Sequence, residues 1–103
     1  MENDLTPEFY HLLEILSEEL SEMQIEISKI QRFGINSYNP IKNKSNIELF
    51  NTEYNDALGI IDMLKGMEED KIECMFGINK FKQEEKQTKV KKMMEISRLN
   101  KRL

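Results

Sequence analysis

The 103-residue sequence has no tryptophan, one cysteine, one histidine and two prolines. A lone Cys74 excludes an internal disulfide, and with no second cysteine it also excludes a thiolate metal centre. It is expected to be a small buried apolar residue. His11 has no partner with which to form a ligand set, so it is expected to be structural or exposed. No apolar run approaches the roughly 18 residues needed to span a membrane. The opening MENDLTPEF lacks the basic and apolar regions of a signal peptide, so a cytoplasmic protein with no membrane partner is expected. There is no internal repeat and no low-complexity tract.

What the chain does have is charge and aliphatic side chains. Hydrophobic residues make up 39% and charged residues 33%, a balance that suits helices with solvated faces. The length allows one core, so 1–103 is expected to be a single domain. The net charge of −4 is unevenly spread: Lys80 to Leu103 carries nine Lys or Arg against three Glu, and the remaining residues sum to −10. The acidic body would repel nucleic acid, which weakens the usual meaning of a basic segment, and no nucleic-acid partner is expected.

Three long helices are predicted. Thr6, Pro7 and Glu8 give a capping hydroxyl, a proline suited to the first helical position and an acid in the first turn. From there Phe9, Leu12, Leu16, Leu20, Met23, Ile27 and Ile30 recur at steps of three or four, predicting a helix over about 7–32 that ends near Gly34. Residues 34–46, rich in Gly, Asn, Ser and Pro, read as a loop. A second helix over about 46–65 follows from the stripe Ile47, Phe50, Tyr54, Ala57 or Leu58, Ile61 and Leu64. A third, with a thin apolar face, is expected over about 78–99, with Gly77 dividing it from a short preceding helix. The first two helices are expected to pack antiparallel in an all-α bundle.

Glu19, Glu22 and Glu26 each precede a stripe residue, and Glu53 and Asp56 do the same in the second helix. Antiparallel packing would bring a Glu-x-x-Glu pair opposite a Glu-x-x-Asp pair. Four neighbouring carboxylates repel one another, and Lys29, Arg32 and Lys65 are the only cations near them on these helices. Either the acids are solvated surface groups, as most helical glutamates are, or a hard divalent cation offsets their charge.

Glu18-Glu19-x-x-Glu22, then ISKIQRFG at 27–34, then Glu53-x-x-Asp56 within NTEYNDALGIIDML resemble the MazG-like nucleoside triphosphate pyrophosphohydrolases, in particular their short, phage-type forms. The likeness spans about residues 12–65 and resumes at KQTKVKKMMEISR, residues 86–98. Thirty residues separate Glu22 from Glu53, slightly long for that signature, and Tyr54 and Asn55 replace its usual apolar and small pair. The resemblance implies a MazG-like helical bundle completed by oligomerisation, as a dimer or tetramer. It implies an Mg²⁺-dependent hydrolase that cleaves a (d)NTP to (d)NMP and pyrophosphate, a nucleotide-pool house-cleaning role, with Mn²⁺ as a substitute ion. Glu19, Glu22, Glu53 and Asp56 would be the metal ligands, and Glu19 or Glu22 would also activate water. Lys86, Lys89, Lys92 and Arg98, together with Lys29 and Arg32, are candidates for contact with phosphate. The competing readings are a non-enzymatic helical interaction protein and a catalytically degenerate relative that binds nucleotide.

Overall fold

Thr6 starts the first helix as the sequence predicts: its hydroxyl accepts from the Phe9 amide at 3.3 Å, and Pro7 occupies the first turn. The computed structural model describes residues 6–67 and 70–103. Helix α1 runs Pro7–Phe33 against the expected 7–32, and α2 runs Asn46–Lys65 against 46–65. A short α3, Asp70–Met75, precedes α4, Lys80–Leu99. Among the described residues no helix is long and apolar enough to cross a membrane.

The expected loop holds a two-residue antiparallel hairpin, β1 Tyr38–Asn39 and β2 Lys44–Ser45, with Tyr38 opposite Ser45 and Asn39 opposite Lys44. Asn39 Oδ1 accepts from the amides of Ile41 and Lys42, and Asn43 takes a left-handed φ of 57°, so the four-residue turn is organised by asparagines. Below the turn the two helix ends are clasped. Asn46 donates its backbone amide to Ser37 O at 2.8 Å and its side-chain Nδ2 to Gly34 O at 3.1 Å, and Ile47 donates to Ile35 O at 3.1 Å. Ser45 then caps α2, its hydroxyl accepting from the Glu48 amide and donating to the Glu48 carboxylate.

Residues up to Ile72 form one compact unit and those from Glu73 onward a second. In the first, α1 packs on α2. Its seam departs from the expected stripe. The α1 positions Phe9, Leu12, Leu16, Glu19, Met23, Glu26 and Ile30, spaced alternately by three and four, are enclosed or half-enclosed, with Leu13, Ile15 and Lys29 half-enclosed beside them, while Leu20 and Ile27 are 49% and 44% exposed. On α2 the corresponding set is Asn46, Phe50, Glu53, Ala57, Ile60 and Leu64, with Leu49 and Ile61 beside it, while Ile47, Tyr54 and Leu58 are exposed.

The reason is geometric. Two long helices in contact meet along a line that repeats every 3.5 residues, so each helix contributes alternate steps of three and four. Apolar periodicity alone selects Leu20 and Ile27, whereas the line of contact takes Glu19 and Glu26. The acids therefore lie in the seam itself rather than along its margin.

In the second unit α4, capped by Asn79, buries none of its side chains. Cys74 is exposed, contrary to expectation, because it follows the buried Ile72 by two residues and so lies on the other side of α3. His11 is exposed and lies 3.8 Å from Glu14.

Candidate functional site

Glu19 from the middle of α1 and Glu53 and Asp56 from the middle of α2 each offer a carboxylate oxygen within 4.8 Å of the other two. Glu19 and Glu53 are half-buried and Asp56 is exposed, so the cluster opens to solvent at the Asp56 end. The three-residue step from Glu53 to Asp56 turns Asp56 toward solvent, yet its carboxylate still reaches the cluster, and the seam register delivers Glu19 to both.

Burial pushes the Glu53 carboxyl above its ordinary range; a hydrogen bond with Glu19, the charge of Glu19, and the charges of Asp56 and Glu22 push it in the same direction. Two carboxyls can share a hydrogen bond only when one of them carries a proton. Without that proton Glu19 Oε2, enclosed by protein, has no donor. Two like charges about 4 Å apart repel by about 4 kcal/mol at an effective dielectric constant near 20, so the cluster favours either a shared proton or a cation.

Glu22 is exposed and lies outside the three-oxygen cluster, although its charge is felt at Glu53. One turn beyond Glu19 on an α-helix brings a residue 60° out of line, which puts Glu22 on the flank of the seam. Of the four acids in the signature, three are thus gathered and the fourth stands beside them.

The other candidates are spread out. Lys29 is half-buried and ion-paired with Glu26, Nζ to Oε1 at 3.3 Å. Arg32 is exposed, its guanidinium 5.1 Å above the centre of the Phe33 ring. Lys86, Lys89, Lys92 and Arg98 are exposed on α4 in the second unit. Steps of three residues drift 60° around a helix, so these four do not share one face; Lys92 and Arg98 border a common groove with Lys91 and Glu95.

Glu26 lies outside the four-acid signature. It is 2% exposed, and among the described residues no donor reaches its Oε2. The signal available in the sequence was the seven-residue interval from Glu19, which repeats a seam position in a 3.5-residue pattern.

The fold and cluster together define a class: an antiparallel helix pair carrying carboxylates from both helices at its seam. Comparison with protein-family models, curated proteins and solved structures gives no match.

Proposed function

We propose that the chain is an Mg²⁺-dependent nucleoside triphosphate pyrophosphohydrolase of MazG-like type, acting on a cytoplasmic (d)NTP to give (d)NMP and pyrophosphate. The observation that carries this reading is the meeting of Glu19, Glu53 and Asp56 within 4.8 Å, with no lysine or arginine paired to them among the described residues. The Glu-x-x-Glu and Glu-x-x-Asp signature in the sequence supports the same reading.

Three acids so placed fit a hard divalent cation. Mg²⁺ takes oxygen ligands, and carboxylates from both helices would supply three of them. Glu19 Oε2, buried without a donor, is the atom most in need of such a partner. Bound there, Mg²⁺ or Mn²⁺ would neutralise triphosphate oxygens and acidify a ligating water.

The remaining work falls to the chain. Glu19, or Glu22 beside the cluster, would accept the proton of the attacking water. The water oxygen bonds to the α-phosphorus, the bond from that phosphorus to the α–β bridging oxygen breaks, and pyrophosphate leaves with the electron pair. In the first unit, Lys29 and Arg32 are the candidates to contact phosphate. Leu20, Ile27, Tyr54 and Leu58, left exposed beside the seam, are the surface for a homo-oligomer that would complete the bundle.

The test is pyrophosphate release from a panel of canonical and modified (d)NTPs, with Mg²⁺ and with EDTA. Release that EDTA abolishes and that Glu22→Gln removes without loss of helicity supports the reading. A folded protein that releases pyrophosphate from none of them overturns it, and Mg²⁺-dependent nucleotide binding without release identifies a non-hydrolytic relative.

A further inference from the structure

Glu26 is the most enclosed charged side chain among the described residues, at 2% exposure, and Lys29, its ion-pair partner, keeps 33% of its side chain in solvent. The pair is therefore anchored inside and open outside. Glu26 Oε1 accepts from Lys29 Nζ, and Glu26 Oε2 is buried with no donor.

Stability does not account for this arrangement. Taking a carboxylate out of water is expensive, and apolar replacements of buried ion pairs are often neutral or stabilising. A leucine at this seam position would continue the pattern of Leu12, two heptads earlier. What the pair supplies is location. A lysine on an exposed helix face has a flexible four-carbon stem and sweeps widely, whereas here the ammonium is tied to a buried point while its remaining donors stay free for an anion. The other cation of α1, Arg32, lies over the Phe33 ring.

The spacing gives the location a use. Seven residues of helix fall 20° short of two turns, so Glu19 and Glu26 share the face that meets α2, about 10 Å apart along the axis. Lys29 reaches back to the level of Glu26. A carboxylate cluster at one point and a fixed ammonium two turns further on match the ends of a stretched polyphosphate.

We infer that Glu26 is a positioning residue that holds Lys29 to receive the leaving pyrophosphate. The substrate then has a fixed direction along α1, with its nucleoside toward the N-terminal end and its β- and γ-phosphates toward the C-terminal end. This inference rests on the hydrolase reading above.

Calorimetric titration of the full chain with magnesium pyrophosphate, and separately with each deoxynucleoside monophosphate in Mg²⁺, tests both ends of that direction. Glu26→Leu and Lys29→Gln are each expected to weaken pyrophosphate binding by about tenfold, the loss of one charge-assisted contact, and to leave monophosphate binding unchanged. The double variant is expected to be no weaker than either single one, since the two residues act as a unit. Glu26→Leu should melt no lower than the parent, which separates positioning from folding. If Glu26→Leu does not fold, Lys29→Gln, which keeps a donor for Glu26, decides. Parental pyrophosphate affinity in the variants, or weakened monophosphate binding in its place, overturns the inference and leaves the hydrolase reading intact. A parent chain that binds neither product overturns both.

Discussion

Glu19 of α1 and Glu53 of α2 face each other across the helix seam with carboxylate oxygens within 4.8 Å, two acids where a helix pair ordinarily places two aliphatic side chains. Two acids so close are costly to ionise together, and on the proposed function a cation would offset that cost; both consequences can be measured.

The first concerns pH. An acid that ionises at higher pH when folded than when unfolded adds stability in full below the ordinary value of 4.5 and gives it up as pH rises through its folded value. In EDTA, the melting temperature should therefore fall as pH rises from that value toward neutrality. Glu53→Gln should flatten this slope and melt higher than the parent at pH 7, as followed by circular dichroism. An unchanged slope in the variant would show that the Glu53 carboxyl does not carry the effect.

Metal addition should act in the opposite direction. An ion that binds only the folded chain stabilises it by about 2.7 kcal/mol at a hundred times its dissociation constant. For a chain of this size that corresponds to a rise of several degrees at neutral pH. Glu19→Gln should abolish the rise, since it removes the acid contributed by α1 to the cluster. A thermal shift equal in parent and variant would place the binding elsewhere.

The end of α1 depends on Gly34, whose φ of 96° and ψ of 157° lie in a region essentially reserved for glycine. A methyl group there would meet no atom within 4 Å, so strain alone is being tested. Gly34→Ala is expected to cost about 1–3 kcal/mol in urea denaturation. A cost near zero would mean that the clasp between the helix ends adapts without strain.

Leu64, fully enclosed near the end of α2, is the core residue with the most to lose. Leu64→Ala is expected to destabilise by about 2–5 kcal/mol. Its distance along α2 from Glu53 means that Mg²⁺ affinity, measured on the folded fraction, should stay at the parental value.

The exposed apolar flank gives a prediction about assembly. Leu20→Glu and Leu58→Glu alter side chains that are 49% and 45% exposed in the single chain, so folding of a monomer should tolerate them. In sedimentation velocity the parent is expected to run as a dimer or tetramer and the double variant to shift toward the monomer. A parent already monomeric would remove the oligomer from the proposed function.

The first two helices are legible because their starts are chemically marked by Thr6 with Pro7 and by Ser45 with Glu48, whereas the start of α4, capped by Asn79, lies beyond the expected residue 78. The seam is less legible. Apolar periodicity pointed to Leu20 and Ile27, and only the contact of α1 with α2 selects Glu19 and Glu26, because the line of contact is a property of the pair and not of either sequence alone. The hairpin lies within a segment that reads as loop, since two-residue strands leave no alternation to detect. Glu19, Glu53 and Asp56 could be named from spacing, whereas the flanking place of Glu22 and the enclosure of Glu26 depend on which way α1 is turned.

The clasp that joins Asn46 and Ile47 to Gly34, Ile35 and Ser37 lies below the hairpin turn, and this bears on the long interval between the two halves of the acidic signature. The phase of α2 against α1 is set at the clasp. Residues 40–43 lie outside it and hold neither helix in place. Extra residues there lengthen a closed excursion, and doubling such a loop costs only about 0.6 kcal/mol. The chain thus has an insertion point at which its length can drift while Glu19 and Glu53 stay opposite each other.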